Sequence, residues 1–321
     1  MKNILITGAS GFVGKELVNH LVALGYTGKS VYRSSNIPLC DSGFERVLIR
    51  DINEKTDWTN SLKNIDCVIH LAARVHVMQE LDDDPLSRFR KANTQTTLNL
   101  AKFAAKAGVK RLIYISSIKV NGEFTAYKYP FKETDIPNPS DSYAISKYEA
   151  EQGLMEISNN FGMEVTIIRP PLVYGPGVKA NFFNMMNWLS KGIPLPFASI
   201  NNKRSLVGLD NLLDLIVTCI EHPLAANQVF LVSDDDDLST SDLLCRVAQA
   251  LGKKPYMVPI NQKILHLSFF LLGKRNLAQR ICGSLQVDVS KAKKILNWTP
   301  PVSVDEGLRK TAKHFIETRY L

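Results

Sequence analysis

The sequence predicts an α/β fold: a doubly wound parallel sheet with a smaller, partly interleaved C-terminal domain. Three observations support it. Short apolar runs rich in β-branched residues alternate with amphipathic stretches as far as Arg169, and a glycine loop directly follows the first run. After Pro170 the texture changes to Pro- and Gly-rich loops, PPLVYGPG and then GIPLPF.

Asn3 to Thr7 (NILIT) reads as a buried strand, and Val13 to Leu24 carries helical periodicity that stops at Gly25, where a C-terminal glycine belongs. Lys29 to Tyr32, Arg46 to Ile49, Cys67 to Leu71, Leu112 to Ser116 and Val165 to Arg169 read as further strands. Helices are expected between them, notably Asn93 to Ala107 and Tyr143 to Asn159. Ser205 to Leu209 and Gln228 to Val232 are expected to return to the main sheet. The first domain then comprises residues 1–169 and about 204–235, and the second about 170–203 and 236–321. No internal repeat appears.

The 321 residues are 45% hydrophobic and 22% charged, the ordinary globular range. Met1 to Ile6 leads straight into the first strand without the pattern of a secretory leader, so the cytoplasm is the expected location. The longest apolar run, Ile264 to Gly273, is half of the roughly 20 residues that span a bilayer, so no transmembrane segment is expected. It reads as a buried helix of the second domain; the alternative is a helix on a membrane surface beside Lys274 and Arg275. Five cysteines (Cys40, Cys67, Cys219, Cys245, Cys282) show no paired spacing, and the six histidines, His70 and His76 among them, form no ligand motif. No metal is expected. The net charge of +8 is not gathered into basic runs of five or more, which argues against a nucleic-acid partner and suits an anionic small molecule.

Gly8, Gly11 and Gly14 in ITGASGFVG stand between a strand and a helix, the context of a dinucleotide-binding loop in a Rossmann-type sheet. The glycines allow a tight turn and close backbone approach, and the N–H groups of the loop and helix start, around Ser10, Phe12 and Val13, suit a pyrophosphate. At the end of the second strand, where an NAD enzyme offers a carboxylate, this chain has Arg33, Ser34 and Ser35. A guanidinium and hydroxyls suit a ribose 2′-phosphate, so NADP is expected in preference to NAD. A surface arginine is the plain alternative.

Tyr143 and Lys147, in DSYAISKYEAE, are spaced i, i+4 and share one helix face. The ammonium is expected to favour the phenolate and lower the tyrosine pKa. Ser117, at the end of the strand YISS, can hydrogen-bond a reacting oxygen, with Ser116 the lesser choice. Together these three form a proton-transfer set beside a hydride-carrying nicotinamide.

The G-x-x-G-x-x-G spacing, Ser117 and the Tyr143/Lys147 pair resemble the extended short-chain dehydrogenase, or nucleotide-sugar epimerase/dehydratase, family over nearly the whole chain. The resemblance implies that Asp51 and Ile52 hold adenine, that Leu71, Ala72 and Ala73 pass beneath the cofactor, and that Asn93 completes the relay. For Asp51 and Asn93 a helix cap is the alternative, and for Leu71 to Ala73 a helix start. RPPLVYGPG, with Pro170, resembles the segment of nicotinamide contacts. Arg204, in KRSLVGLDNLLDLI, resembles the arginine of the substrate diphosphate, against a surface salt bridge. Asn181 is implied at the pyrophosphate, and Leu195, Pro196 and Phe197 resemble the loop on which uracil lies, against a core loop. Family members place an arginine a few residues before the counterpart of Asp288; here Gln286 stands there, which leaves the second phosphate contact open.

Family dehydratases carry an acidic pair after the catalytic strand, where this chain has Ile118 and Lys119, so elimination of water lacks its acid and base. The remaining readings are a reductase of a UDP-4-keto-6-deoxy-N-acetylhexosamine in bacterial surface polysaccharide synthesis, towards which Arg33 tips the balance, and a UDP-glucose or UDP-N-acetylglucosamine 4-epimerase. A non-catalytic NADPH-binding sensor is the reading of another class, disfavoured because Ser117, Tyr143 and Lys147 are all present. Related proteins often dimerise through a four-helix interface, to which the helix from Tyr143 could contribute.

Overall fold

The computed structural model describes residues 2–34, 43–75, 84–126, 128–271, 273 and 275–319. Ser35, Cys40, His76 and Lys274 lie outside them. Nine strands are present among the described residues: β1 (Asn3–Thr7), β2 (Thr27–Tyr32), β3 (Phe44–Leu48), β4 (Cys67–His70), β5 (Arg111–Ile115), β6 (Glu164–Arg169), β7 (Leu172–Tyr174), β8 (Leu206–Gly208) and β9 (Gln228–Leu231). Seven form one parallel sheet in the order β3-β2-β1-β4-β5-β6-β9. The order reverses between β1 and β4, which opens a crevice at the carboxyl ends of these strands.

Eleven α-helices accompany them: α1 (Phe12–Ala23), α2 (Pro85–Phe89), α3 (Thr96–Lys106), α4 (Ser142–Phe161), α5 (Ala180–Ser190), α6 (Leu209–Glu221), α7 (Thr240–Ala250), α8 (Gln262–Leu271), α9 (Arg275–Cys282), α10 (Ser290–Leu296) and α11 (Val304–Arg319). Strand alternation divides the core in two. Ile4, Ile6, Ile69 and Ile113 pack against α1 and α6, whereas Leu5, Val68, Leu112 and Val165 pack against α3 and α4. With both faces covered, every residue of β4 and β5 is buried, and the two strands are largely apolar, as the sequence suggested. A third cluster joins α5, α7 and α11.

Three elements differ from the sequence reading. β9 rejoins the main sheet, but β8 pairs with β7 in a separate two-stranded sheet, because the chain leaves the main sheet at Pro170 and Pro171 and takes its partner with it. Asn93 does not start a helix: it lies within a π-helical segment, Arg90–Gln95, that runs on into α3. α8 is not a buried helix, since Leu265 alone of its described side chains is fully buried and Ile264, Leu267 and Leu271 face solvent. An apolar run has no period that distinguishes core from surface. Among the described residues no helix is long and apolar enough to cross a membrane.

Candidate active site

The crevice is shaped first by glycine. Gly8 has φ +75°, and a Cβ there would lie 2.7 Å from the Ala72 nitrogen and 2.9 Å from the Leu71 carbonyl carbon. A Cβ on Gly14 would lie 2.1 Å from the Gly8 oxygen. The first requirement lets the glycine loop meet the loop after β4; the second lets α1 close onto the β1 turn. Gly11 is the N-cap of α1, and no side chain caps that end. Its first-turn amides are therefore available to a pyrophosphate. Ser10 and Gly11 are exposed, and Phe12 and Val13 are half-buried.

Arg33 and Ser34 follow β2 and are exposed at the same end of the sheet. No helix begins at Asp51; its carboxylate accepts from Asn53 Nδ2 at 2.7 Å, beside a half-buried Ile52. Leu71 to Ala73 form a loop, not a helix start, and the Ala72 amide reaches Thr7 Oγ1 at 3.4 Å. Asn93 is buried and holds that loop in place. Its Oδ1 accepts from the Arg74 amide at 2.7 Å, and its Nδ2 donates to the Arg74 carbonyl at 3.1 Å and to Ser146 Oγ at 3.0 Å. Asn93 thus ties the loop after β4 to α4. It does not reach Lys147, whose ammonium bonds the Ile115 carbonyl.

Asp141 caps α4 by accepting from the Ala144 amide at 2.7 Å, and the same carboxylate pairs with Lys119. That pair brings the start of α4, with Tyr143, to the turn that begins at Ser117. The Tyr143 phenol and Ser117 hydroxyl are hydrogen-bonded. Lys147 lies beneath them, buried, donating from Nζ to the Ile115 carbonyl at 2.8 Å and lying 4.4 Å from the centre of the Tyr114 ring. Its distance to the Tyr143 ring centre is 6.0 Å. Ser116 Oγ is buried without a hydrogen-bond partner among the described residues, a polar group that fits a bound dinucleotide.

The electrostatics correct one expectation. Tyr143 is not lowered: burial, then the Asp141 charge, pushes it up to about 12 against the Ser117 hydrogen bond. Lys147 moves instead, pushed down to about 7 by burial although Glu151 acts the other way. His70 is held down to about 3, first by burial and then by Lys147, and sits between Thr7 Oγ1 and Thr97 Oγ1, stacked on Tyr114. In the protein without cofactor, the burial cost of the Lys147 ammonium is full below about pH 7 and fades as pH rises towards its unfolded value. Lys147→Met is accordingly expected to stabilise the cofactor-free fold more near pH 6 than near pH 10, the difference being on the order of a few kcal/mol. Thermal unfolding at the two pH values checks this; an equal effect at both would place the ammonium in water.

Pro170 is buried after β6, and its carbonyl accepts from the Ile118 amide at 3.0 Å. Before it, Arg169 forms a buried ion pair with Glu151 of α4 at 2.5 Å and donates to Asn121 Oδ1 at 2.8 Å. This pair locks β6, α4 and the turn after Ser117 together. Eighteen residues separate the partners, so no spacing rule flagged it.

Arg204 is half-buried and in no salt bridge among the described residues. It donates to the Gly283 carbonyl at 3.1 Å, and burial followed by the Arg280 charge lowers its pKa. The Arg280 guanidinium lies near enough to act on it, and two guanidinium charges suit an anion. Sequence reasoning did not single out Arg280, whose place follows from the 281–283 backbone: Asn202 Nδ2 donates to the Ile281 and Gly283 carbonyls at 3.2 and 2.8 Å. Gln286 instead donates to Asp237 at 2.8 Å.

Not every residue that the resemblance assigns to a substrate is free to bind. Leu195 is buried among Phe182, Met186 and Leu244, and its amide and carbonyl both pair with the 256–258 segment, so the core-loop alternative holds for it. Pro196 and Phe197 stay half-buried, Phe197 against Ile200 and Leu265. The Asp288 carboxylate accepts from the Ser290 amide at 2.8 Å, which commits one oxygen to a local turn. Asn181 is exposed in the first turn of α5. Among the described residues no group of His, Cys, Asp and Glu could hold a metal ion.

The family model described as the NAD dependent epimerase/dehydratase family matches residues 4–233. A UDP-glucose 4-epimerase of Vibrio cholerae is 50% identical over 320 residues, 98% of this chain and 96% of that protein. An N-acetyl-alpha-D-glucosaminyl-diphospho-ditrans,octacis-undecaprenol 4-epimerase of Escherichia coli O157:H7 is 27% identical, over 97% of this chain and 95% of that one. Among solved structures, a UDP-glucose 4-epimerase of Thermotoga maritima with UDP-glucose superposes with a TM-score of 0.78 at 25% identity, covering 99% of both chains.

Proposed function

Because the chain belongs to the NAD dependent epimerase/dehydratase family, we propose that it is a nucleotide-sugar 4-epimerase that acts on a UDP-hexose. The observation that carries this reading is the 50% identity, end to end, with a UDP-glucose 4-epimerase, in a chain whose Ser117, Tyr143 and Lys147 converge at the crevice. The comparisons favour the epimerase over the reductase towards which Arg33 tips the sequence.

A bound dinucleotide would supply the hydride acceptor and donor; this chain's own residues would bind and orient the substrate and move the proton. The glycine loop and the first turn of α1 hold the pyrophosphate, Asp51 and Ile52 the adenine end, and Leu71 to Ala73 pass beneath, fixed by Asn93. Tyr143 exchanges a proton with the C4 oxygen, which Ser117 orients by a hydrogen bond. With its pKa pushed up to about 12, the phenol stands protonated at neutral pH, ready to donate as the keto sugar is reduced. Lys147, 6.0 Å from the phenol's ring centre and with its own pKa pushed down to about 7, does not hold the phenol ionised in the protein without cofactor; its role in this reading is to supply positive charge when the phenol gives up its proton. Arg204 and Arg280 grip the diphosphate, while Asn181, Pro196 and Phe197 line the nucleotide side. Holding the substrate by its diphosphate leaves the hexose free to turn, so that either face of a C4 ketone can meet the same hydride. A polyprenol-linked sugar shares the diphosphate, but the relative at 50% identity is named for the nucleotide sugar.

The second reading, a 4-keto reductase, rests on Arg33 and Ser34 beside β2, which suit NADP and a reductant used once. Incubation with UDP-glucose and with UDP-N-acetylglucosamine is expected to yield the 4-epimers without net change in NADH or NADPH absorbance. Net oxidation of reduced cofactor by a UDP-4-keto sugar, without epimer formation, would replace the epimerase by the reductase.

NADP in preference to NAD is proposed on Arg33 and Ser34 and goes with the second reading; the epimerase reading takes either dinucleotide. Arg33→Asp is expected to shift the NADP-to-NAD affinity ratio towards NAD by about tenfold or more, the loss of one charge-assisted contact. Titration of both dinucleotides reads it, and an unchanged ratio would make Arg33 a surface residue. The division of the chain into a dinucleotide-binding part (1–169 with about 204–235) and a sugar-binding part, a cytoplasmic location and a homodimer using α4 belong to the same reading.

A further inference from the structure

Between Asp242 and Asp288 the chain contains no aspartate or glutamate and seven basic residues: Arg246, Lys253, Lys254, Lys263, Lys274, Arg275 and Arg280. These account for nearly all of the net charge of +8, and leave 32 basic against 31 acidic residues elsewhere. Arg246 is paired with Asp236 and Asp305. Lys253, Lys254, Lys263 and Arg280 are exposed and in no salt bridge among the described residues.

In the middle of this stretch stands α8. Its inner side is anchored by Leu265, which packs with Ile200 and Cys282. Its outer side presents Ile264, Leu267 and Leu271, at helical spacing on one face and 60%, 58% and 74% exposed. Tyr256, in the segment leading to the helix, is also exposed. A contiguous apolar face of this size on a surface helix marks a place of contact.

Charge decides what it contacts. Two copies meeting through this face would set one acid-free basic stretch against another, which repels. An anionic lipid surface complements both features, taking apolar side chains below the headgroups and lysines among them. We propose that α8 seats the protein peripherally on an anionic membrane surface, with Ile264, Leu267 and Leu271 entering the interface and Lys253, Lys254 and Lys263 meeting the headgroups. α9, packed against α8, carries Arg280, so the seat adjoins the diphosphate site.

The test is cosedimentation of the purified full chain with vesicles of phosphatidylglycerol and phosphatidylcholine, or of phosphatidylcholine alone, at low and high salt. The bound fraction is expected to be about tenfold greater on the anionic vesicles and to fall with salt. Leu267→Glu/Leu271→Glu is expected to lower binding about tenfold, and Lys253→Glu/Lys254→Glu several-fold, with the unfolding temperature unchanged. No binding to anionic vesicles, equal binding to both compositions, or binding unaffected by Leu267→Glu/Leu271→Glu would overturn the proposal. So would a dimer by sedimentation equilibrium that this double variant converts to monomer without any vesicle binding. None of these readouts requires turnover, so they stand apart from the test of the epimerase reading.

Discussion

Tyr143→Phe is expected to lower turnover about a thousandfold, within the range of a lost general acid–base, while nucleotide-sugar and dinucleotide affinities change by less than about threefold. The substitution removes one oxygen and keeps the ring, which packs edge-on against Phe89 at 6.1 Å, so the fold has no reason to move. Ser117 remains just after β5 and can still bond the C4 oxygen, but orienting that oxygen does not replace the proton transfer assigned to the phenol. Binding is assigned to the glycine loop and to Arg204 and Arg280, which the substitution does not touch. Steady-state kinetics and equilibrium dinucleotide titration separate the two effects. Turnover near that of the unaltered protein would remove Tyr143 from the chemistry.

Glu151→Ala is expected to cost about 3–5 kcal/mol of stability, because it strands a buried guanidinium. Arg169 and Glu151 are both nearly inaccessible, and Arg169 Nε, Nη1 and Nη2 all donate within this cluster, to Glu151 and to Asn121. Urea unfolding measures the loss. Replacing both partners by apolar residues of similar size is expected to restore much of it, since no unpartnered charge is then left. A loss below about 1 kcal/mol for Glu151→Ala would mean that water reaches Arg169 and that the pair does not lock α4 to the turn after Ser117.

Much of this was legible in the sequence because it is local. β1, β4, β5 and β6 announce themselves as largely apolar runs because they lie in the middle of a sheet covered on both faces. The Tyr143/Lys147 face follows from the helical repeat, and the Gly8 and Gly14 requirements follow from a loop that must pass under a neighbouring strand end.

What escaped depends on residues far apart in the chain. The Arg280 charge acts on Arg204 from a distant part of the chain, and Arg169 meets Glu151 between a strand and a helix. The pKa inversion at Tyr143 and Lys147 comes from burial, which spacing does not encode. Leu195 and the face of α8 show the same limit from opposite sides: an apolar residue in a Pro-rich loop proves to be core, while an apolar helix proves to be surface.

The central claim is that the hydride leaves C4 for a bound dinucleotide and returns to C4 of the same sugar, with Tyr143 managing the proton. It is tested most directly with UDP-glucose deuterated at C4, following the label in sugar and cofactor. The account predicts a 4-epimer that keeps deuterium at C4, with none accumulating in released reduced dinucleotide. Epimer that has lost its label to solvent, or deuterium appearing in free NADH or NADPH with no epimer formed, would contradict it.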